Sequence, residues 1–330
     1  MIQPRSIIAY GIFSGGLDSL LASRLLLDQG IDVRLITFVT PFFSDRRAQD
    51  SSRLIGLATR PKDITRLHLS MLRNPKHGFG RFMNPCIDCH ALMFNQAGQI
   101  MTAEGGDFLF SGEVLGQRPM SQNIQALGVV ARESGFPDRI LRPLSALRLA
   151  PTPVEEAGLV DRQRLLGFSG RSRKPQMALA ASYGLTGYPS PAGGCLLTDP
   201  IFSIRLKELR AAGQDLGVHE VELLKWGRHF RLPGGRGKLV VGRKKSENEA
   251  LERLARPEDV LLSVMDVPGP TALLTGGDEQ DLDLAASITV AYSDADPLGS
   301  HAVQVLRRND TILVTVSGSP KERYAEFMIR

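Results

Sequence analysis

The chain has 330 residues, enough for about two domains of roughly 100–200 residues each. Hydrophobic residues make up 42% and charged residues 23%, which excludes a disordered or fibrous protein, and no apolar run approaches the roughly 18–20 residues of a membrane helix. The net charge of +5 is too small to specify a nucleic-acid partner by its sum. Residues 6–13 (SIIAYGIF) are a short apolar run suited to a buried parallel strand. They run straight into glycines and Asp18 with no signal-peptide cleavage pattern. A helix is predicted over 18–29, a strand over 33–39, a helix over 46–58 and a strand over 64–69. A helix follows over 86–103, then a strand over 107–110, a helix over 122–133 and a short strand at 140–141.

Repeated β-α-β units imply an α/β fold, a parallel five-stranded sheet with helices on both faces. Residues 142–200 are rich in Pro, Gly and Arg, with short helices near 154–157 and 175–183, and are read as an extension carrying functional loops. The pattern then changes. A helix over 202–212, a hairpin from 229–232 and 238–242, a helix over 247–255, a strand over 260–264, a helix over 280–292 and strands over 303–306 and 312–316 make a small α+β domain. The predicted domains are 1–200 and 201–330.

Ser14-Gly15-Gly16-Leu17-Asp18-Ser19 follows a buried strand and opens a helix. Its glycines allow a tight turn and close approach to phosphate, and the helix N-terminus favours an anion. Asp18 is a carboxylate where phosphate is expected, so Mg²⁺ or a substrate cation is needed between them. The usual P-loop, G-x-x-x-x-G-K-[ST], is absent; residues 234–238 are a decoy with the wrong glycine spacing. The hexapeptide resembles the PP-loop of the ATP pyrophosphatase (adenine nucleotide α-hydrolase-like, HUP) superfamily, which cleaves ATP between the α and β phosphates and activates a carbonyl as its adenylate. The resemblance implies an ATP site of Phe13, Ser14, Gly15, Gly16, Asp18 and Ser19, with the adenine against Thr37 and Phe38 at the end of the second strand.

The chain has three cysteines, Cys86, Cys89 and Cys195. An odd count excludes a fully paired disulfide scaffold and points to a reducing cytoplasm. Cys86 and Cys89 form a C-x-x-C between Pro85 and His90, a spacing used for metal sites and redox pairs, and a helix start lowers a thiol pKa. Cys195 follows two glycines. This set, in NPCxxCH and GGCLLT contexts, resembles the three-cysteine PP-loop tRNA thiolases, in which three thiolates hold a [4Fe-4S] cluster with one open iron. The resemblance implies Cys86, Cys89 and Cys195 as cluster ligands and Asp18, Cys89 and Cys195 as catalytic residues. A persulfide mechanism through Cys89 and Cys195, and zinc held by three cysteines and His90, stay open. Residues 111–121 (SGEVLGQRPMS) resemble the second block of tRNA 4-thiouridine synthetases, implying Gly112, Glu113 and Gln117 in the ATP or target-base pocket.

Between Lys225 and Lys245 there are eight Lys or Arg and no Asp or Glu; between Gly269 and Gly299 there are six Asp or Glu and no Lys or Arg. A solvated face accounts for either segment alone equally well. The basic hairpin followed by G-R-x-x-x-E-N resembles the RNA-binding NFACT-R module over about 222–317. That resemblance implies RNA contacts from Arg228, Arg231, Lys238, Arg243, Lys244 and Lys245. Trp226 and Phe230 either stack on unpaired bases or pack in the core. Arg162, Arg164, Arg171, Arg173 and Lys174 form a weaker basic stretch, an RNA contact or a solvated loop.

The leading expectation is an ATP-dependent tRNA sulfurtransferase in the cytoplasm, with tRNA and a sulfur donor (sulfide or a persulfide carrier) as partners, no membrane association, and a homodimer admitted. A PP-loop sulfur transferase acting on a small molecule and a non-catalytic nucleotide- and RNA-binding protein are the alternatives.

Overall fold

The computed structural model describes residues 5–190, 194–213, 216–234, 236–308 and 310–330. Residues 191–193 on the approach to Cys195, and Gly235 in the hairpin turn, lie outside the described residues. The chain divides into two compact units, Met1–Thr198 and Asp199–Arg330. Among the described residues no helix is long and apolar enough to cross a membrane.

The first unit runs β1 (Ile8–Ile12), α1 (Leu17–Leu27), β2 (Asp32–Val39), α2 (Arg46–Ser52), β3 (Thr59–Asp63), α3 (Thr65–Arg73), α4 (Cys86–Ala103), β4 (Phe108–Ser111), α5 (Ile124–Glu133), β5 (Ile140–Leu141), α6 (Pro153–Glu156) and α7 (Lys174–Ser182). The five strands are parallel in the order β3-β2-β1-β4-β5. Side chains alternate across the sheet. Ala9, Leu35, Phe108 and Phe110 join α1 in one core, whereas Tyr10, Ile36, Phe38 and Leu109 join α4 and α5 in another. Both faces are therefore covered, as βαβ crossovers require. The order reverses between β1 and β4, and in open α/β sheets ligands bind at the carboxyl ends of the strands beside such a point.

The predicted strand over 64–69 is instead the start of α3, and the third strand lies earlier, at β3. That strand reads Thr-Arg-Pro-Lys-Asp and is largely exposed at the sheet edge. Proline and charge are tolerated there and leave no apolar signal.

The second unit runs α8 (Pro200–Ala211), α9 (Val218–Leu223), β6 (Arg228–Arg231), β7 (Lys238–Val241), α10 (Lys245–Leu254), β8 (Val260–Val264), β9 (Ala272–Thr275), α11 (Glu279–Ala291), β10 (Ser300–Arg307) and β11 (Asp310–Ser317). Its six strands form an antiparallel sheet, β11-β10-β8-β9-β7-β6. Leu239, Val241, Leu262 and Leu274 pack with Ala285 and Ile288 of α11, while Val240 and Leu273 pack on the opposite face with Leu223 and Leu251. α9 and β9 were not predicted; both are short, at six and four residues.

Candidate active site

The Ser14–Ser19 segment joins β1 to α1 at the carboxyl edge of the sheet, beside its order reversal. Gly15 has φ +73°, and a Cβ there would lie 2.5 Å from the Arg47 carbonyl oxygen. Ser51 Oγ donates to the Gly15 carbonyl at 2.8 Å, tying the loop to α2. No side chain caps α1 at Gly16, so the first-turn N–H groups stay available to an anion. Ser19 is buried, its hydroxyl donating to the Gly16 carbonyl at 2.8 Å, while Ser14 is exposed.

Gly112 follows β4 and lies directly against this loop. A Cβ on Gly112 would meet the Asp18 carbonyl carbon and the Ser19 nitrogen at 2.5 Å each. Gln117 Nε2 donates to Asp18 Oδ2 at 3.2 Å, and Arg173 Nη2 lies 3.7 Å from the same oxygen. Asp18 Oδ1 is buried without a hydrogen-bond partner. Burial pushes the Asp18 carboxyl up, partly offset by Gln117 and by the Arg173 and Arg118 charges.

Phe13, Thr37 and Phe38 sit at the ends of β1 and β2, but their side chains are internal. Thr37 Oγ1 donates to the Phe13 carbonyl at 2.9 Å, and both phenylalanines are in the core. Glu113, expected to face the nucleotide, turns inward and is 6% exposed. It accepts from Arg142 Nε at 2.9 Å and Ser111 Oγ at 3.1 Å, and it pairs with His90 Nδ1 at 2.8 Å. Burial works to raise this carboxyl, but the Arg142 charge and the His90 contact outweigh it and hold it down at about 2. A buried carboxylate with Arg and His in reach is drawn to them rather than to a polyanionic ligand.

The cysteines adjoin this arrangement. Cys86 opens α4 and accepts from Asn84 Nδ2 at 3.2 Å, while Asp88 pairs with His77 Nδ1 at 2.9 Å. Cys89 is buried one residue before His90. All three cysteines are free thiols. Burial pushes Cys89 well up, and nearby Cys195 and Cys86 add to it. Burial also takes Cys195 to about 11, with Cys86 adding to the rise and the Arg118 charge opposing it. The helix start was expected to lower the thiol pKa; at Cys89 desolvation outweighs it. His90, next to Cys89, bonds Glu113, which follows the Gly112 that touches Asp18, and the Arg118 charge bears on both Asp18 and Cys195.

Arg142 beside Glu113, and Arg118 and Gln176 beside Asp18, carried no assignment in the sequence, and Arg173 was expected only as an RNA contact or part of a solvated loop. Arg173 lay in the weak basic stretch, where local composition alone does not separate an active-site arginine from a solvated one.

In the second unit the hairpin's charge is largely compensated within the fold. Arg231 Nε lies 2.6 Å from Glu208 Oε1, and Lys238 Nζ lies 3.4 Å from Glu208 Oε2. Lys238 is 4% exposed, and burial lowers it to about 8. Arg243 pairs with Glu247, and Arg228 lies over the Tyr292 ring at 4.9 Å. Lys244 and Lys245 are exposed. Phe230 is fully buried, so core packing accounts for it, while Trp226 is partly buried, with one side packed against Leu223, Val240 and Leu251.

Residues 8–148 match the family model described as thiamine biosynthesis protein (ThiI), and residues 227–328 match that of the NFACT protein RNA binding domain. A protein of Acholeplasma laidlawii named "Probable tRNA sulfurtransferase" is 31% identical over 140 residues, covering 40% of this chain and 33% of the relative. The chain thus spans about a third of the length of the curated relative it matches. Among solved structures, a 4-thiouridine synthetase–RNA complex with bound ATP is similar over 54% of this chain and 51% of that one, at 20% identity and TM-score 0.35. The C-terminal part of the fibronectin/fibrinogen-binding protein of Streptococcus suis is similar over 39% and 67%, at 12% identity and TM-score 0.28.

Proposed function

We propose that this chain is an ATP-dependent tRNA sulfurtransferase. The observation that carries the reading is the adjacency of two chemistries: a glycine loop open to an anion at the sheet's order reversal, and free thiols beside it, with His90 next to Cys89 bonded to Glu113 next to Gly112, and Cys195 sharing the Arg118 charge with Asp18. The match of residues 8–148 to the ThiI model supports it, and the match of residues 227–328 to an RNA-binding model supports tRNA as the partner.

In this reading the ATP phosphates rest on Ser14–Ser19 at the N-terminus of α1. The orphaned Asp18 Oδ1 fits a Mg²⁺ ligand, since an unpartnered buried carboxylate oxygen gains most from a hard cation. A uridine or cytidine carbonyl oxygen attacks the α-phosphorus and pyrophosphate leaves. Sulfur from the cysteine site then attacks the activated carbon, and the former carbonyl oxygen departs with AMP. Adenylation matters because a bare carbonyl oxygen is a poor leaving group.

The thiols fit a three-ligand [4Fe-4S] site. Cys89 is raised by both other cysteines and Cys195 by Cys86, so their thiolates would crowd one place and need a soft cation. Cys86, Cys89 and Cys195 would hold the cluster, which when bound would supply an open iron for sulfur. Zinc has less support. His90 Nδ1 is engaged by Glu113. Among the described residues no group of three or more His, Cys, Asp or Glu is placed to hold a metal ion as the side chains stand, so a cluster and zinc alike would need the cysteines to draw together. A reducing cytoplasm keeps such thiols free, with sulfide or a persulfide carrier as donor. For RNA, Lys244 and Lys245 are the better placed of the six expected contacts, since Lys238 is buried, Arg231 is paired with Glu208, Arg243 is paired with Glu247 and Arg228 lies over the Tyr292 ring.

The test is nucleoside mass spectrometry of tRNA after incubation with ATP, Mg²⁺ and sulfide under anaerobic conditions, beside tRNA from a deletion strain. One thionucleoside should appear in the first and be missing from the second. AMP release without a thionucleoside would favour a small-molecule acceptor, and neither AMP nor pyrophosphate would leave a binding protein.

A further inference from the structure

The nucleotide loop has a neighbour from far along the chain. Arg173 is the N-cap of α7, and its guanidinium approaches Asp18. Its Nε is buried with no hydrogen-bond partner. Within the first turn of α7, Gln176 is fully buried beside the Asp18 carboxyl, which it helps hold down as a hydrogen-bonding neighbour, although neither of its amide atoms reaches full hydrogen-bond geometry. Asp18 Oδ1 is in the same condition. Buried polar atoms are nearly always partnered, so unmet groups on three adjacent side chains point to an occupant. Their mix of two donors, a carboxylate and an amide oxygen suits a metal-bound anion, not an apolar ligand.

Arg47 also borders the loop. It lies in the first turn of α2, with its carbonyl oxygen where a Gly15 Cβ would go, and its side chain donates to the Ser190 carbonyl at 3.0 Å. Burial, and then the Arg173 charge, pull its pKa down. Two guanidinium groups near enough to repel each other gain from an anion placed between them.

We propose that Arg173 and Arg47 clamp the diphosphate end of the nucleotide, with the Gln176 amide donating alongside. When the diphosphate arrives, Arg173 exchanges Asp18 for phosphate oxygens, which leaves the carboxylate free for the cation. This assigns Arg173 to leaving-group binding rather than to RNA, and it rests on reading Ser14–Ser19 as a nucleotide loop.

The 330-residue chain is titrated calorimetrically, with Mg²⁺ present, against inorganic pyrophosphate, AMP and ATP. Arg173→Met and Gln176→Leu should each weaken pyrophosphate by about tenfold or more, the usual scale for a lost hydrogen bond to a charged group. AMP, which lacks the diphosphate, should change by less than about twofold under the same arithmetic. Arg173→Lys keeps the charge and should recover part of the loss; it also provides the reading if Arg173→Met does not fold. Lys174→Ala, at an exposed neighbour, should alter neither ligand. Unchanged pyrophosphate affinity in folded Arg173 and Gln176 variants, with ATP and AMP still bound by the parent protein, overturns the clamp alone. Equal losses for AMP and pyrophosphate also overturn it, since they indicate a collapsed pocket. A parent protein that binds none of the three ligands overturns the nucleotide reading and the clamp together.

Discussion

Glu113 and His68 are two buried titratable residues with opposite surroundings. Glu113 has Arg142, Ser111 and His90 around it. Its folded pKa of about 2 lies below the ordinary 4.5, so its stabilisation is present above pH 4.5 and is lost as pH falls toward 2. Urea denaturation across that window should show stability falling with acid, and Glu113→Gln should flatten the slope. Glu113→Ala should cost about 3–5 kcal/mol, because it leaves the Arg142 guanidinium buried and uncompensated. His68, by contrast, is fully buried against Phe42 and Phe43 with no hydrogen bond to either ring nitrogen. Burial lowers it from 6.5 to about 4. The folded state thus holds it neutral, and stability present above pH 6.5 declines as pH drops toward 4. His68→Leu should remove that decline, read as a smaller loss of melting temperature between pH 7 and pH 4.5. Neither role shows in the sequence, where Glu113 resembles a pocket residue and His68 has no evident partner, because burial is set by distant packing.

At the scale of elements, the site depends on backbones meeting. Gly112 after β4 touches the Asp18–Ser19 backbone with no space for a methyl group. Gly112→Ala should therefore push the two loops apart, costing about 1–3 kcal/mol as overpacking does. ATP affinity, measured by calorimetry, should fall more than AMP affinity if the phosphates rest on that loop. Much of this layer was legible in the sequence. β1, α1, α4, β4 and β5 fall within a few residues of expectation, since each pairs an apolar run with a Gly, Pro or Asp boundary. Legibility failed where that signal is absent. β3 is a charged, proline-bearing edge strand. α3 follows Ile64 at its N-cap and carries Leu67 and Leu69 two residues apart, a local alternation that also fits a strand. The link from α7 to Asp18 spans most of the first unit, beyond the reach of any local pattern.

For the whole molecule, each of the two units has buried clusters on both faces of its own sheet. Residues 199–330 alone should therefore give a cooperative thermal transition, and RNA binding by this piece should weaken steeply with salt. Charge reversal at Lys244 and Lys245, which are exposed, should lower both the affinity and the salt slope, checked by filter binding. The same reversal should leave ATP binding by the full chain unaltered.

The contact between Gly112 and Asp18 also bears on how the chain matures. Its two loops belong to strands that are neighbours in the sheet but not in sequence, and Gln117 closes on Asp18 across 99 residues. Contacts of such long sequence separation are entropically costly and favour late assembly. Nucleotide is therefore expected to recognise the completed sheet and to leave half-built chains alone. Because a ligand that binds only the native state draws the equilibrium toward it, ATP should, in the proposed reading, raise the melting temperature of the assembled first unit.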